Sequence, residues 1–329
     1  MTQPTKGDVH VNRPLSNISI AFMQEASQFI ADRVFPNIPV PMQSDRYYTY
    51  DRGYFNRDEM EERAPGAESA GSGYSVDNTP TYYAKVYAFH HDVPDQIRSN
   101  VDSVIQPDSD ATKLVSQKAL IKREKLWVAK YFVPAIWTFD HDGVAAAPGA
   151  NQVLQWNDAN STPIEDVTAA ITRVLQSTGF APNKLVIGRA VWDALKNHPD
   201  IIDRVKYGQT APGAAKISLQ ALADLFEVAE IMVMNAIENT AKEGQTASHA
   251  FIGGKRALLV YAPPAPGLQV PTAGYTFSWN GFLGASALGG RIKKFRMEQL
   301  ESDRVEIQMA FDQKLVAADL GHFWDTIVA

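Results

Sequence analysis

The stretch DSDATKLVSQKALIKREKLWVAKYFVPAIW, residues 108–137, decides the fold. Asp108, Ser109 and Asp110 offer helix caps and a negative first turn. Leu114, Val115, Leu120, Leu126, Trp127, Tyr131, Phe132 and Ile136 supply a broad apolar face. The spacing predicts one helix of about thirty residues, ~45 Å long, which Pro134 kinks or ends. Helices in globular domains are usually shorter, so this one reads as a spine from which other parts hang. Lys118, Lys122 and Lys125 recur at i, i+4, i+7, with Lys113, Arg123 and Lys130 nearby, and Glu124 is the only acid between Asp110 and Tyr131.

Upstream of the spine lie two aromatic, β-branched runs, Arg46 to Arg57 and Thr81 to Phe89, both read as strands. Residues 58–80 join them. They are acidic at Asp58, Glu59, Glu61 and Glu62, then rich in Gly, Ala and Ser, with little to bury. The expectation is a long two-stranded hairpin with a loose, charged tip. Such a hairpin is marginal alone in water, so another surface completes it, either of this chain or of a neighbour. Further upstream, Ile18, Phe22, Ala26 and Phe29 sit at helical spacing, and the prolines of Val34-Phe35-Pro36-Asn37-Ile38-Pro39-Val40-Pro41 force an extended chain. Residues 1–45 therefore read as an arm lying along a surface.

Downstream, residues 138–160 read as a loop and a domain boundary, on Asp140-His141-Asp142-Gly143 and Ala147-Pro148-Gly149. Residues 161–262 alternate helix and strand. Thr162-Pro163-Ile164-Glu165 is a capping box with proline at the first helical position, and Gly179 stops that helix. Strands are expected at Lys184 to Gly188, Glu230 to Met234, His249 to Ile252 and Ala257 to Tyr261. After a Pro/Gly-rich passage from Pro263, two long strands run from Arg291 to Gln299 and from Arg304 to Leu315. Val305, Ile307, Met309 and Phe311 alternate with polar or small residues. This ribbon is expected to lie along the spine helix, or otherwise to extend the α+β sheet.

The 329 residues are enough for two domains, and 45% hydrophobic with 21% charged residues is ordinary globular composition. A net charge of −6 makes any nucleic-acid contact local. With no cysteine, disulfides and thiolate metal sites are excluded. A polar start from Met1 to Asn12 gives no signal segment, and no apolar run is long enough to span a membrane.

Catalytic signatures fail on inspection. Gly254-Lys255 lacks the rest of a phosphate loop, since Arg256 stands where a hydroxyl residue belongs. Gly284-Ala285-Ser286-Ala287-Leu288 misses a nucleophile elbow, because Leu288 occupies the closing glycine. Asp140-His141-Asp142 and His90-His91-Asp92 read as a turn and a polar strand end rather than metal sites. No cofactor is expected. The lysine face of the spine reads either as a solvated helix face or as a seat for phosphate backbone without base readout.

The order is extended arm, β-hairpin, spine helix, compact α+β domain and a returning strand pair. With Arg33-Val34-Phe35-Pro36, Asp51-Arg52-Gly53 and Val93-Pro94-Asp95, it resembles the tailed-bacteriophage major capsid proteins of the Hong Kong 97-like fold. The resemblance covers nearly the whole chain. It implies an α+β architecture of arm (1–45), extended loop (46–93), peripheral domain with the spine helix (94–160), axial domain (161–275) and returning peripheral strands (276–329).

The function so implied is a structural subunit tiling with itself, as pentamers and hexamers, into an icosahedral virion shell around double-stranded DNA. The shell is put together in the host cytoplasm, with no enzymatic activity and no membrane. The arm would clasp a neighbour and the loop would overlie one. Arg52, Arg57, Glu59, Glu61, Glu62 and Arg63 are the expected inter-subunit contacts, and Lys118, Lys122 and Lys125 the DNA-facing ones. The resemblance implies, for so short an arm, either a separate scaffold or a scaffolding segment that has been removed, beside a portal and room for a decoration protein. No lysine lies between Lys6 and Lys85, so the loop tip cannot make a lysine cross-link, and a non-covalent shell is expected. Two alternatives stay open: an encapsulin-like compartment of the same fold, and a soluble enzyme with its site in 161–262.

Overall fold

A computed structural model describes residues 24–101, 105–207, 217–267, 270–283 and 290–329. The arm's first residues, most of the helical spacing that begins at Ile18, and the 284–288 motif lie outside the described residues. Seventeen strands follow in chain order among the described residues. They are β1 (Asn37–Val40), β2 (Ser44–Arg46), β3 (Thr49–Tyr50), β4 (Val76–Asp77), β5 (Thr81–Tyr83) and β6 (Lys85–Pro94). Then come β7 (Phe139–Val144), β8 (Gln152–Leu154), β9 (Lys184–Gly188), β10 (Glu230–Met234), β11 (Ile237–Asn239) and β12 (His249–Phe251). The last are β13 (Ala257–Val260), β14 (Gly274–Trp279), β15 (Gly290–Met297), β16 (Ser302–Leu315) and β17 (Gly321–Asp325).

One sheet has the order β10-β9-β13-β17-β7-β8. Its strands β9, β10 and β13 are buried and read as continuous apolar runs rather than alternating ones, while β7 and β8 are only half-buried. Leu185, Ile187, Leu259 and Trp324 point to one side and pack under the helices Pro163–Thr178, Arg189–Leu195 and Leu219–Leu225. Val186, Leu258, Val260 and Phe323 point to the other side, against Trp127, Tyr131 and Phe132 of the spine and Ile30, Val34 and Phe35 of the arm. The spine is thus fixed on the back of this sheet. Two segments were misread from sequence here. Residues 138–160 are not a loop: β7 and β8 close this sheet. Gly143 permits it, because a Cβ there would stand 2.3 Å from the Thr326 carbonyl oxygen. The terminal strand β17 belongs to the same sheet, between β13 and β7, and not with the returning pair.

The second sheet is built on β16, which pairs with β15, with β14 and, over ten registers, with β6. As its alternation predicts, Val305, Met309 and Phe311 face the spine helix at Ala111, Val115 and Ala119. The spine helix itself runs from Pro107 to Tyr131, 25 residues. It stops short of residue 137 because Pro134 has no N–H to donate and biases Val133 away from helical geometry. Trp137 Nε1 takes the freed Tyr131 carbonyl at 2.8 Å, and Arg256 takes that of Phe132 at 3.0 Å.

The expected hairpin is also shorter. Only β2 with β5 and β3 with β4 pair. The run 46–57 breaks at Asp51, whose carboxylate accepts the Gly53 N–H at 2.8 Å and caps a single helical turn, Arg52–Phe55. The run from Thr81 leaves the hairpin at Ala84 and joins β16.

Within the arm, Phe29, Ile30, Ala31, Val34 and Phe35 pack into this subunit's own core, and β1 pairs in parallel with β14 at the sheet edge. Pro39 is tolerated there because an edge strand leaves one row of donors unused.

Candidate functional site

The root of the loop is anchored. Tyr82 stacks on Phe277 at 4.6 Å, Tyr47 leans on the same ring at 5.4 Å, and Tyr83 N–H donates to Asp312 at 3.0 Å. Beyond that root the large side chains stand exposed among the described residues. Tyr48 is 69% exposed, Phe55 59%, Tyr74 63% and Met60 94%. Tyr50, Phe55 and Tyr74 gather into an open cluster with ring centroids 5.8 to 6.3 Å apart. Monomeric proteins rarely leave such a row of large apolar groups in water, and a contiguous one marks an interaction surface. The aromatic content of these runs was legible in the sequence, but it was read as strand propensity, so the rings were not named as contact residues.

The charged residues expected to reach a neighbour divide. Arg52 is ion-paired within the chain to Asp319. Arg57 lies 3.6 Å from Glu59 and over the Tyr54 ring at 5.3 Å, and Arg63 donates to the Ala67 carbonyl. Glu61 and Glu62 are exposed on the tip.

Along the spine helix, Lys118, Lys122 and Lys125 are all exposed. Lys125 pairs with Glu238, Lys130 with Asp312 at 3.6 Å, and Lys122 sits 5.8 Å from the Tyr87 ring centre. Arg123 and Glu124, counted with this face in the sequence, are instead buried at 3% and 1% exposure. At the helix start, Arg98, Lys294 and Arg296 interleave with Asp95, Asp108 and Asp303, and these partners hold all three carboxyls below their usual range. This network clips the helix to the far end of β15 and β16.

The 161–262 region offers a shallow open groove of about 590 Å³ beside the helix Pro163–Thr178, lined by Glu165, Thr168, Arg173 and Arg204. Glu165 and Arg204 pair with each other at 2.8 Å. The nearby histidines stack, His141 on His322 at 4.7 Å, with Arg173 3.1 Å from His141. Burial and these positive neighbours push His322 down to about 2. It therefore stays neutral and apolar in character near neutral pH. Among the described residues no group of three His, Cys, Asp or Glu is placed to hold a metal ion.

A two-sheet body carrying an open aromatic loop has a surface of the kind that a partner covers. The family model for phage major capsid protein E matches residues 150–273. The chain is 26% identical over 326 residues to the major capsid protein of Pseudomonas phage JBD67, covering 97% of both. In structure it is similar to a phage-related protein from Bordetella bronchiseptica RB50, with TM-score 0.67 and 23% identity over 92% of each chain. It is similar also to the capsid of cyanophage P-SCSP1u, with TM-score 0.61 and 11% identity over 96% of this chain and 93% of that one. An encapsulin complex from Synechococcus elongatus shares the fold alone, at 9% identity and TM-score 0.55 over 95% and 93% of the two chains. These likenesses support a tailed-phage major capsid protein, and the fold is the Hong Kong 97-like one.

Proposed function

We propose that this structural capsid subunit closes an icosahedral head around double-stranded DNA, with the loop 47–80 laid over a neighbouring copy. One observation carries the reading: the exposed ring cluster of Tyr50, Phe55 and Tyr74, with Tyr48 and Met60 beside it, has no covering surface among the described residues. Many weak contacts per subunit suffice, because each further contact in a closed lattice is intramolecular in effect, and head-to-tail contacts close into rings when the rotation permits. Glu61, Glu62 and Arg63 supply rim charges. They are screened by salt and set register more than strength.

The exposed Lys118, Lys122 and Lys125 support a DNA-facing spine, binding phosphates without reading sequence. Scaffold and portal proteins, and a decoration protein, are the expected partners, and assembly takes place in the host cytoplasm. The chain's role is non-enzymatic. The loop has no lysine, so the shell is held non-covalently.

The test is assembly of the whole chain, with and without a scaffold, seen by sedimentation and negative-stain imaging. Pentamers, hexamers or closed shells are expected. Replacing residues 58–75 by a short Gly-Ser linker should leave a folded subunit that no longer closes shells. A chain that stays monomeric under every condition, or a linker variant that assembles normally, would sink this reading.

A further inference from the structure

The arm meets the spine helix at a set of three charges, of which Glu124 and Arg123 are buried and Asp32 is partly exposed. Glu124 is 1% exposed, and its carboxyl accepts the N–H groups of Ile30 at 3.1 Å and Ala31 at 2.9 Å, capping the short turn Ala31–Val34. Asp32, on that turn, is paired with Arg123 at 2.5 Å. Arg123 is 3% exposed and also lies 5.0 Å from the Phe311 ring centre. Phe29, Leu120, Ile121 and Val128 form the apolar cluster beside this joint.

The charges do not balance. Two acids face one base, and the base is committed to Asp32. The surrounding ionisable groups are already matched elsewhere: Arg33 with Glu230, Lys125 with Glu238, and Lys130 with Asp312. A surplus buried negative charge is costly unless it takes a proton.

We propose that this joint is a one-proton latch, in which Glu124 keeps a proton while the arm is docked and its loss loosens residues 29–35 from the spine. The two backbone amides favour the carboxylate, but burial outweighs them and lifts Glu124 from 4.5 to about 7, with Asp32 adding to the rise. Burial raises Asp32 as well and lowers Arg123.

The direction follows from the linkage. Between 4.5 and about 7 the docked state holds a proton that the undocked state has released. Docking is therefore firmest below 4.5, weakens as pH rises toward about 7, and is level above that. In mild acid the arm clamps the spine to the axial sheet; at neutral pH it has more freedom to change partners.

Hydrogen exchange of the peptide spanning 29–35 in the full chain, from pH 5 to 8 and corrected for intrinsic exchange, tests this. Protection should fall by up to about tenfold per pH unit and level off near 7, while residues 111–119 of the spine show no matching step. Glu124→Gln, which keeps an acceptor for both amides, should abolish the pH dependence. Asp32→Asn removes a negative charge beside Glu124 and should move the levelling point to lower pH, which keeps the test open if Glu124→Gln folds poorly. A wild-type arm with flat protection, a Glu124→Gln arm that keeps the slope, or a folded Asp32→Asn chain with an unmoved levelling point would each overturn the latch.

Discussion

Ile30, Val34 and Phe35 of the arm are 1%, 0% and 0% exposed, whereas Tyr48, Phe55 and Tyr74 of the loop are 69%, 59% and 63% exposed. Both segments hold a single helical turn, both are rich in large apolar side chains, and from sequence both read as surfaces awaiting a partner. The arm has found its partner within the subunit. Phe35 meets Trp127 edge-on at 5.8 Å and Tyr131 at 5.0 Å, and β1 completes a sheet edge. The loop has only its root anchored. The difference teaches that apolar content alone does not say whose core a segment belongs to. The deciding fact is the empty space across from it, which is a property of the folded body.

That contrast can be broken at the arm first. Trp127→Ala opens a large cavity where arm, spine and the six-stranded sheet converge, and should cost about 3–5 kcal/mol in denaturant unfolding. A loss within 1 kcal/mol would show that the arm is only loosely seated. A smaller effect separates the six-stranded sheet from the loop by pH. His322 titrates near 2 in the fold, below its ordinary 6.5, so the folded form takes up its proton later than the unfolded one. Stability is full above about 6.5 and falls as pH drops, by roughly 2 kcal/mol at pH 5 from this group. His322→Phe should flatten that slope in acid titrations followed by circular dichroism. His141, lowered by burial and Arg173, shifts in the same sense.

The loop should respond in the opposite way. Tyr48→Ser with Phe55→Ser should leave unfolding within about 0.5 kcal/mol of the parent and still stop shell closure in sedimentation. If assembly survives, the exposed rings are not the contact. The smallest effect belongs to Glu61→Lys with Glu62→Lys: no measurable change in the subunit's melting, and a shift only in the salt concentration at which shells form.

Much of the architecture was legible before any coordinates. The spine helix, β9, β10, β15 and β16 followed from periodicity, because each presents one strongly apolar face or a short buried run. Others were not. Asp140-His141-Asp142-Gly143 carries turn-forming residues, yet it is a strand because β17 pairs with it from 182 or more positions away. No local signal encodes that pairing. Glu124 looked like an isolated acid on a lysine-rich face and proved to be a buried cap, since neither its direction nor the arrival of Ile30 can be read from helical spacing. Among the expected contact residues, Arg52 is occupied at home by Asp319, and the tyrosines that do stand open were hidden by their strand propensity.

The place of β17 bears on the timing of synthesis. Residues 321–325 fill the slot between β13 and β7 in the middle of the six-stranded sheet, and Phe35 waits 241 positions for Thr276. Helices can form as the chain leaves the ribosome, but neither sheet can close on a nascent chain that has not reached these late strands. Such non-local closure is slow and leaves apolar edges exposed meanwhile. Copies still being translated are therefore poor building blocks, and chaperone demand should peak at the moment of release.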